Sequence, residues 1–101
     1  MACEVVLAKT AAKEYQQIVG YLADVLKNPQ AAIGFMEEFE RQTQRIREQP
    51  EIYAVSRTEE LAALGYRTFL VNSYIGVYRL VEGRIFIAHI FHQSQDYTRL
   101  I

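Results

Sequence analysis

The sequence predicts an α+β domain in which an N-terminal strand leads into an antiparallel helical hairpin, and the hairpin packs on a C-terminal antiparallel β-meander. Three observations predict it. Apolar residues recur at three- and four-residue spacing between about Thr10 and Gln49, whereas aromatic and β-branched residues crowd three runs between Tyr66 and Phe91 that are separated by two-residue polar breaks. The chain has 101 residues, about the length at which one hydrophobic core forms and two would each be short of area. It reads as a single domain over 1–101 in the order β-α-α-β-β-β.

Taken in order, Cys3 to Leu7 is short and valine-rich, an opening strand, and Thr10 offers a helix N-cap. Tyr15, Ile18, Val19, Leu22, Val25 and Leu26 then share one helical face, and this first helix is expected to end near Lys27. Asn28-Pro29 is a start signal for the second helix, because proline at the first helical position lacks only an N–H that has no intrahelical partner anyway. Ala32, Met36, Phe39, Thr43 and Ile46 step by four and three along a seam, with Tyr15, Tyr21, Phe35 and Phe39 at core-like positions. Glu37 and Glu38 precede Arg41 by four and three residues, with Arg45 one further turn on, and these charges read as ion pairs at helical spacing on a solvated face. Pro50 stops the helix at Gln49. Ser56-Arg57-Thr58-Glu59 offers a capping box for a short turn that Gly65 would end.

Strands are expected at Tyr66 to Val71, Tyr74 to Val81 and Arg84 to Phe91, joined by Asn72-Ser73 and Glu82-Gly83. Regular pairing puts Arg67, Phe69, Val71, Tyr74, Tyr78, Leu80, Ile85, Ile87, His89 and Phe91 on one face. The other receives Tyr66, Thr68, Leu70, Ile75, Val77, Arg79, Arg84, Phe86, Ala88, Ile90 and His92, and a bulge would exchange part of the two sets. Both faces are substantially apolar, but one hairpin covers only one of them. The other face asks for a partner, or for the tail from Gln93 to Ile101 to fold back over it.

Eleven basic against twelve acidic residues leave a net charge of −1, which excludes a general nucleic-acid binder. The single cysteine, Cys3, has no internal partner and no basic neighbour to make it a thiolate, which fits a reducing, cytoplasmic compartment. The opening residues lack a secretory pattern, and no apolar run is long enough to span a membrane. His89 and His92, three apart on a strand, point to opposite faces, so neither a metal site nor a cofactor is expected.

Leu64-Gly65-Tyr66-Arg67, Tyr74-Ile75-Gly76-Val77-Tyr78-Arg79 and Ile90-Phe91-His92-Gln93-Ser94-Gln95-Asp96-Tyr97, in this order after a helical hairpin, resemble the RelE/ParE superfamily of toxins from type II toxin–antitoxin pairs. The resemblance covers nearly the whole chain. It implies a β-α-α-β-β-β toxin domain, a cognate antitoxin as partner, a role in plasmid stabilisation, and contact with operator DNA only through the antitoxin. RelE-like members are ribosome-dependent mRNA endonucleases; they place a catalytic arginine where this chain has Ile75, and lysines near the preceding strand. Here every lysine (Lys9, Lys13, Lys27) lies in the N-terminal third, and the segment from Leu61 to His92 holds three arginines and one glutamate. ParE-like members bind DNA gyrase, and Arg67 with Phe91-His92-Gln93-Ser94 resembles their pattern better. The favoured expectation is therefore a growth-inhibiting gyrase binder without chemistry of its own. The alternatives are a RelE-like mRNA interferase and a non-toxic antitoxin-binding module.

As a gyrase binder the chain would present Arg67, Arg79, His89, His92, Gln93, Gln95 and Asp96 to its target; as a nuclease its candidates are Arg67, His92 and Tyr97. Arg67 could hold a carboxylate or phosphate, or pair structurally with Glu59 or Glu60. His92 with Asp96 could move a proton, or fix the C-terminal segment on the sheet. Tyr97 could be a general acid or an anchoring aromatic.

Overall fold

The computed structural model describes residues 3–56 and 59–94. Strand β1 (Glu4–Leu7) passes through Ala8 into helix α1 (Lys9–Gly20), which continues as a π-helical turn over Tyr21–Val25. Helix α2 (Pro29–Glu48) returns antiparallel to it, and a short helix α3 (Glu59–Ala63) precedes β2 (Arg67–Val71), β3 (Tyr74–Val81) and β4 (Arg84–His92). The sheet order is β1-β4-β3-β2. The three later strands form the expected antiparallel meander, and β1 adds to its far side parallel to β4, Glu4 opposite Arg84 and Leu7 opposite Ile87. Both hairpin turns have two residues, with positive φ at Asn72, Glu82 and Gly83, as tight turns between twisted strands require.

The start of α1 differs from the sequence expectation. Its N-cap is Ala8, which has no capping side chain, rather than Thr10. The Ala8 N–H donates to the Ile87 carbonyl (3.0 Å), so the end of the β1–β4 ladder, a tertiary contact, sets where the helix begins. Asn28 caps α2 as expected: its Oδ1 accepts from the Ala31 N–H at 3.1 Å, with Pro29 at the first helical position.

Between the helices the chain departs from α geometry. The Leu26 N–H bonds to the Tyr21 carbonyl five residues back, and Lys27 takes φ +50°. A π turn inserts one extra residue, so the side chains after it lag by about one residue's rotation, roughly 100°. Val25 and Leu26, expected on the buried face, are instead 66% and 54% exposed, and Tyr21 is also exposed.

The core lies between the hairpin and one face of the sheet: Ala11, Phe35, Phe39 and Ile46 meet Phe69, Val71, Tyr78, Ile85, Ile87 and Ile90. On α2 the seam uses Ala32, Phe35, Phe39 and Ile46, while Met36 and Thr43 are half-buried. Phe35 links the layers, packing on Tyr15 of α1 (centroids 5.3 Å) and edge-on to Tyr74 of β3 (5.2 Å). On the wet face, Glu38 pairs with Arg41 at three-residue spacing and accepts from Gln42. The capping box at Ser56-Arg57-Thr58-Glu59 lies partly outside the described residues, but the turn it was to start is present and ends at Gly65, φ +83°.

The two sheet faces are exchanged beyond one point. Pairing of β3 with β4 shifts between Val77, opposite His89, and Tyr78, opposite Ile87, leaving Ala88 as an extra residue. From there Ile90 and His92 stand on the helix-covered face, whereas His89 and Phe91 stand with Ile75 and Val77 on the outer one, the reverse of regular pairing. On that outer face Leu70 is 56% exposed, but Val77 (0%) and Phe91 (3%) are buried, so the face is less open than a single hairpin implies.

Candidate functional site

Arg67 starts β2 on the helix-covered face, and an isolated bridge to Val55 ties the preceding loop beside it. Its guanidinium donates to the Tyr53 carbonyl, and the Tyr53 hydroxyl in turn reaches Gln42 of α2. The partner of Arg67 among the described residues is thus a loop carbonyl, where the sequence expectation had Glu59 or Glu60. Next to it Tyr78 is fully buried and donates to the Pro50 carbonyl at 2.8 Å. Burial pushes this phenol up to about 12, with Arg67 pulling the other way.

Arg79 stands on the outer face, its guanidinium 5.1 Å from the Tyr66 ring centroid. The two arginines thus lie on opposite sides of the sheet. Arg84, at the β3–β4 turn, faces Glu4 at 3.4 Å in a solvated pair of little energetic weight.

The histidines gather at the other end of β4. His92 packs edge-on to Tyr74 (5.3 Å), and its Nδ1 meets the Ser94 Oγ at 2.8 Å and accepts from the Ser94 N–H at 3.1 Å. The Gln93 N–H donates to the Ser73 carbonyl at 2.9 Å, which anchors the strand end to the β2–β3 turn. His89 stacks on Phe91 (5.1 Å) and brings Nδ1 to 3.4 Å from Glu14 Oε1 of α1. The same carboxylate oxygen accepts the Ile90 N–H at 3.0 Å, replacing the strand partner that β4 loses where β1 ends. Burial raises the Tyr74 phenol as well, with a smaller push from Tyr21. Gln95, Asp96 and Tyr97 lie outside the described residues.

Among the candidates, then, His92 and Gln93 share the end of β4, His89 stands near them on the opposite face of the strand, and Arg67 and Arg79 lie apart from them and from each other. Arg67 pairs with Tyr78 and His92 with Tyr74. Four residues of strand separate those rows, about 13 Å, and the Arg67 guanidinium is turned to the Tyr53 carbonyl. Glu14, Tyr53 and Tyr74 were not singled out from sequence. Tyr74 does open the quoted tyrosine-strand motif, and Glu14 is an acid one helical turn before Ile18 on the edge of the apolar stripe, but Tyr53 carries no sequence signal. Among the described residues no group of three or more His, Cys, Asp or Glu could hold a metal ion, and no helix is long and apolar enough to cross a membrane.

A helical hairpin on one face of a β1-β4-β3-β2 sheet, with a parallel N-terminal strand at its edge, is the architecture of the RelE/ParE class of toxins. The model of the ParE toxin of the type II parDE toxin–antitoxin system matches residues 5–97, and the chain belongs to that family. A chain of the chromosomal ParDE system from P. aeruginosa superposes with a TM-score of 0.71 at 18% identity, over 90% of this chain and 96% of that one. A chain of the RelBE2 toxin–antitoxin complex from Mycobacterium tuberculosis gives 0.63 at 15%, over 91% and 99%. No curated protein matches in sequence. The protein is a ParE-type toxin of a type II toxin–antitoxin system.

Proposed function

We propose that this toxin inhibits growth by binding DNA gyrase and stabilising its cleaved-DNA state, that a cognate antitoxin neutralises it, and that the pair stabilises the replicon carrying it. The observation that carries the reading is the setting of Ile75. The family resemblance sets Ile75 where RelE-type members carry a catalytic arginine, and it stands in an outer-face row between Leu70 and Phe91, all three apolar. Cleavage of RNA by its own 2′-hydroxyl needs cations at the developing phosphorane and an acid–base pair beside it. Arg67 has its guanidinium on the Tyr53 carbonyl, four residues of strand from the His92 row, which argues against such a site. What the chain offers instead is a surface: Arg79 on Tyr66, and the polar end of β4 at His92 and Gln93.

The test uses purified toxin with purified gyrase and, separately, with translating ribosomes. Inhibition of supercoiling with accumulation of cleaved DNA, and intact messages, is the expected outcome. Codon-dependent cleavage of ribosome-bound message that His92→Ala abolishes in a folded protein would replace this reading with the mRNA interferase.

A further inference from the structure

Three arginines lie on the described strands, and two of them have an acceptor: Arg67 has the Tyr53 carbonyl and Arg84 has Glu4. Arg79 has no hydrogen bond or ion pair among the described residues, and its guanidinium lies over the Tyr66 ring. It is half-buried nonetheless, because it stands in an outer-face row between Tyr66 and its ladder partner Phe86, both half-buried as well. Taking water from a guanidinium without supplying an acceptor is unfavourable, and stacking on a tyrosine offsets only part of that. An incoming anion would supply what is missing. The stacked side chain is also held in place, so little rotamer freedom is lost when its planar fork meets a ligand.

The surroundings limit the ligand. Arg84 is paired with Glu4, and Glu82 sits in the adjoining turn, so the charges at this end of the sheet cancel except for what Arg79 can offer locally. A nucleic-acid backbone gains affinity from several cations, each neutralising a phosphate, and this face does not provide them. Four residues along β3 on the same face, about 13 Å away, Ile75 stands beside the exposed Leu70. Val77 between the two positions is buried, so the accessible surface is an arginine at one end and an aliphatic pair at the other. That combination fits a protein surface better than a polyanion.

We infer that Arg79 anchors the toxin to its protein target: its guanidinium takes an aspartate or glutamate side chain of gyrase in a bidentate pair, while an aliphatic side chain of the same partner rests on Leu70 and Ile75. The inference rests on the gyrase reading above and deepens it by naming the contact and its chemistry.

Titration calorimetry of the full chain with purified gyrase, and of the full chain with duplex DNA alone, tests this. Arg79→Gln keeps a side chain over Tyr66 and removes the charge; it weakens gyrase binding at least about tenfold and flattens its salt dependence, which lost packing alone would not do. Arg79→Lys keeps the charge without the fork, so it weakens binding several-fold and retains the salt dependence. It replaces the glutamine variant if circular dichroism shows that one to be misfolded. Leu70→Asp, at an exposed position, also weakens binding, whereas Arg84→Gln, which breaks a solvated pair on the same face, leaves it within about twofold. If wild type binds gyrase and the folded Arg79 variants bind equally well, the anchor assignment is overturned while the gyrase reading stands. If the toxin binds DNA without gyrase and Arg79→Gln removes that binding, the ligand is a phosphate and the carboxylate assignment is overturned. Failure of the wild-type chain to bind gyrase would overturn the gyrase reading and the anchor together.

Discussion

Gly76 occupies a position on β3 where an added methyl would stand 2.2 Å from Cζ of Phe69, its partner across the β2–β3 ladder. The Phe69 ring is buried between Phe39 and Tyr78, with centroids at 6.2 and 5.7 Å, so it cannot swing aside without disturbing both. Gly76→Ala should therefore cost about 1–3 kcal/mol of overpacking, read as a lower urea midpoint at unchanged slope. Phe69→Leu combined with Gly76→Ala should recover part of that loss, giving a strongly non-additive double-mutant cycle. Additive losses would show that the contact does not decide the packing. At this scale the sequence is readable only in outline. A glycine in a strand signals close approach, but nothing local says that Phe69 is the side chain that approaches. The partner of Arg67 is hidden for the same reason, since a backbone carbonyl has no residue type to recognise.

At the scale of elements, the hairpin depends on a sharp restart at Asn28. The Asn28 side chain is exposed and caps α2, so Asn28→Ala should cost about 1 kcal/mol, whereas Asn28→Asp should cost little, a carboxylate there also favouring the helix dipole. Thermal melts of the three proteins check this; equal melting temperatures would mean that packing, not the cap, holds the helix start. Element identity is legible because it rests on periods: the seam at Ala32, Phe39 and Ile46, and the aromatic and β-branched runs after Gly65, lie where the periods place them. Single-residue insertions escape such periods. The π turn after Gly20 rotates the side chains beyond it, the extra residue at Ala88 flips those beyond it, and neither carries a composition signal. For that reason regular periodicity puts Val25, Leu26, His89 and Phe91 on the wrong faces.

For the molecule as a whole, Tyr78 is where the sheet, the helical layer and the loop after α2 meet. Its phenol lies well above the ordinary value of 10.0 because burial penalises the phenolate, and burial raises Tyr15 and Tyr74 in the same direction. A raised folded-state value means that the stabilisation is complete below pH 10 and is lost as the pH climbs through about 12. Global stability should thus fall over pH 10 to 12. Tyr78→Phe should be about 0.5–1.5 kcal/mol less stable at neutral pH, for want of the bond to Pro50, yet show a shallower alkaline decline. Guanidinium titrations across that range check both parts. Parallel pH profiles for the two proteins would assign the alkaline loss to other groups.

The extra residue at Ala88 has a consequence for how this chain can change over generations. Because β4 changes its in-and-out alternation there, the core tolerates neither a one-residue deletion nor a one-residue insertion elsewhere in the strand. Either event would carry His89 and Phe91 into the helical layer, or Ile87 and Ile85 out of it, a reassignment that point substitutions could not mend one at a time. Only a compensating length change within the same few residues restores the parity. The spacing between the apolar pair Ile85 and Ile87 and the pair Ile90 and His92 is therefore under tighter constraint than the chemical identity of the alanine that creates it, and lineages of this toxin should drift in residue type at 88 while keeping the count.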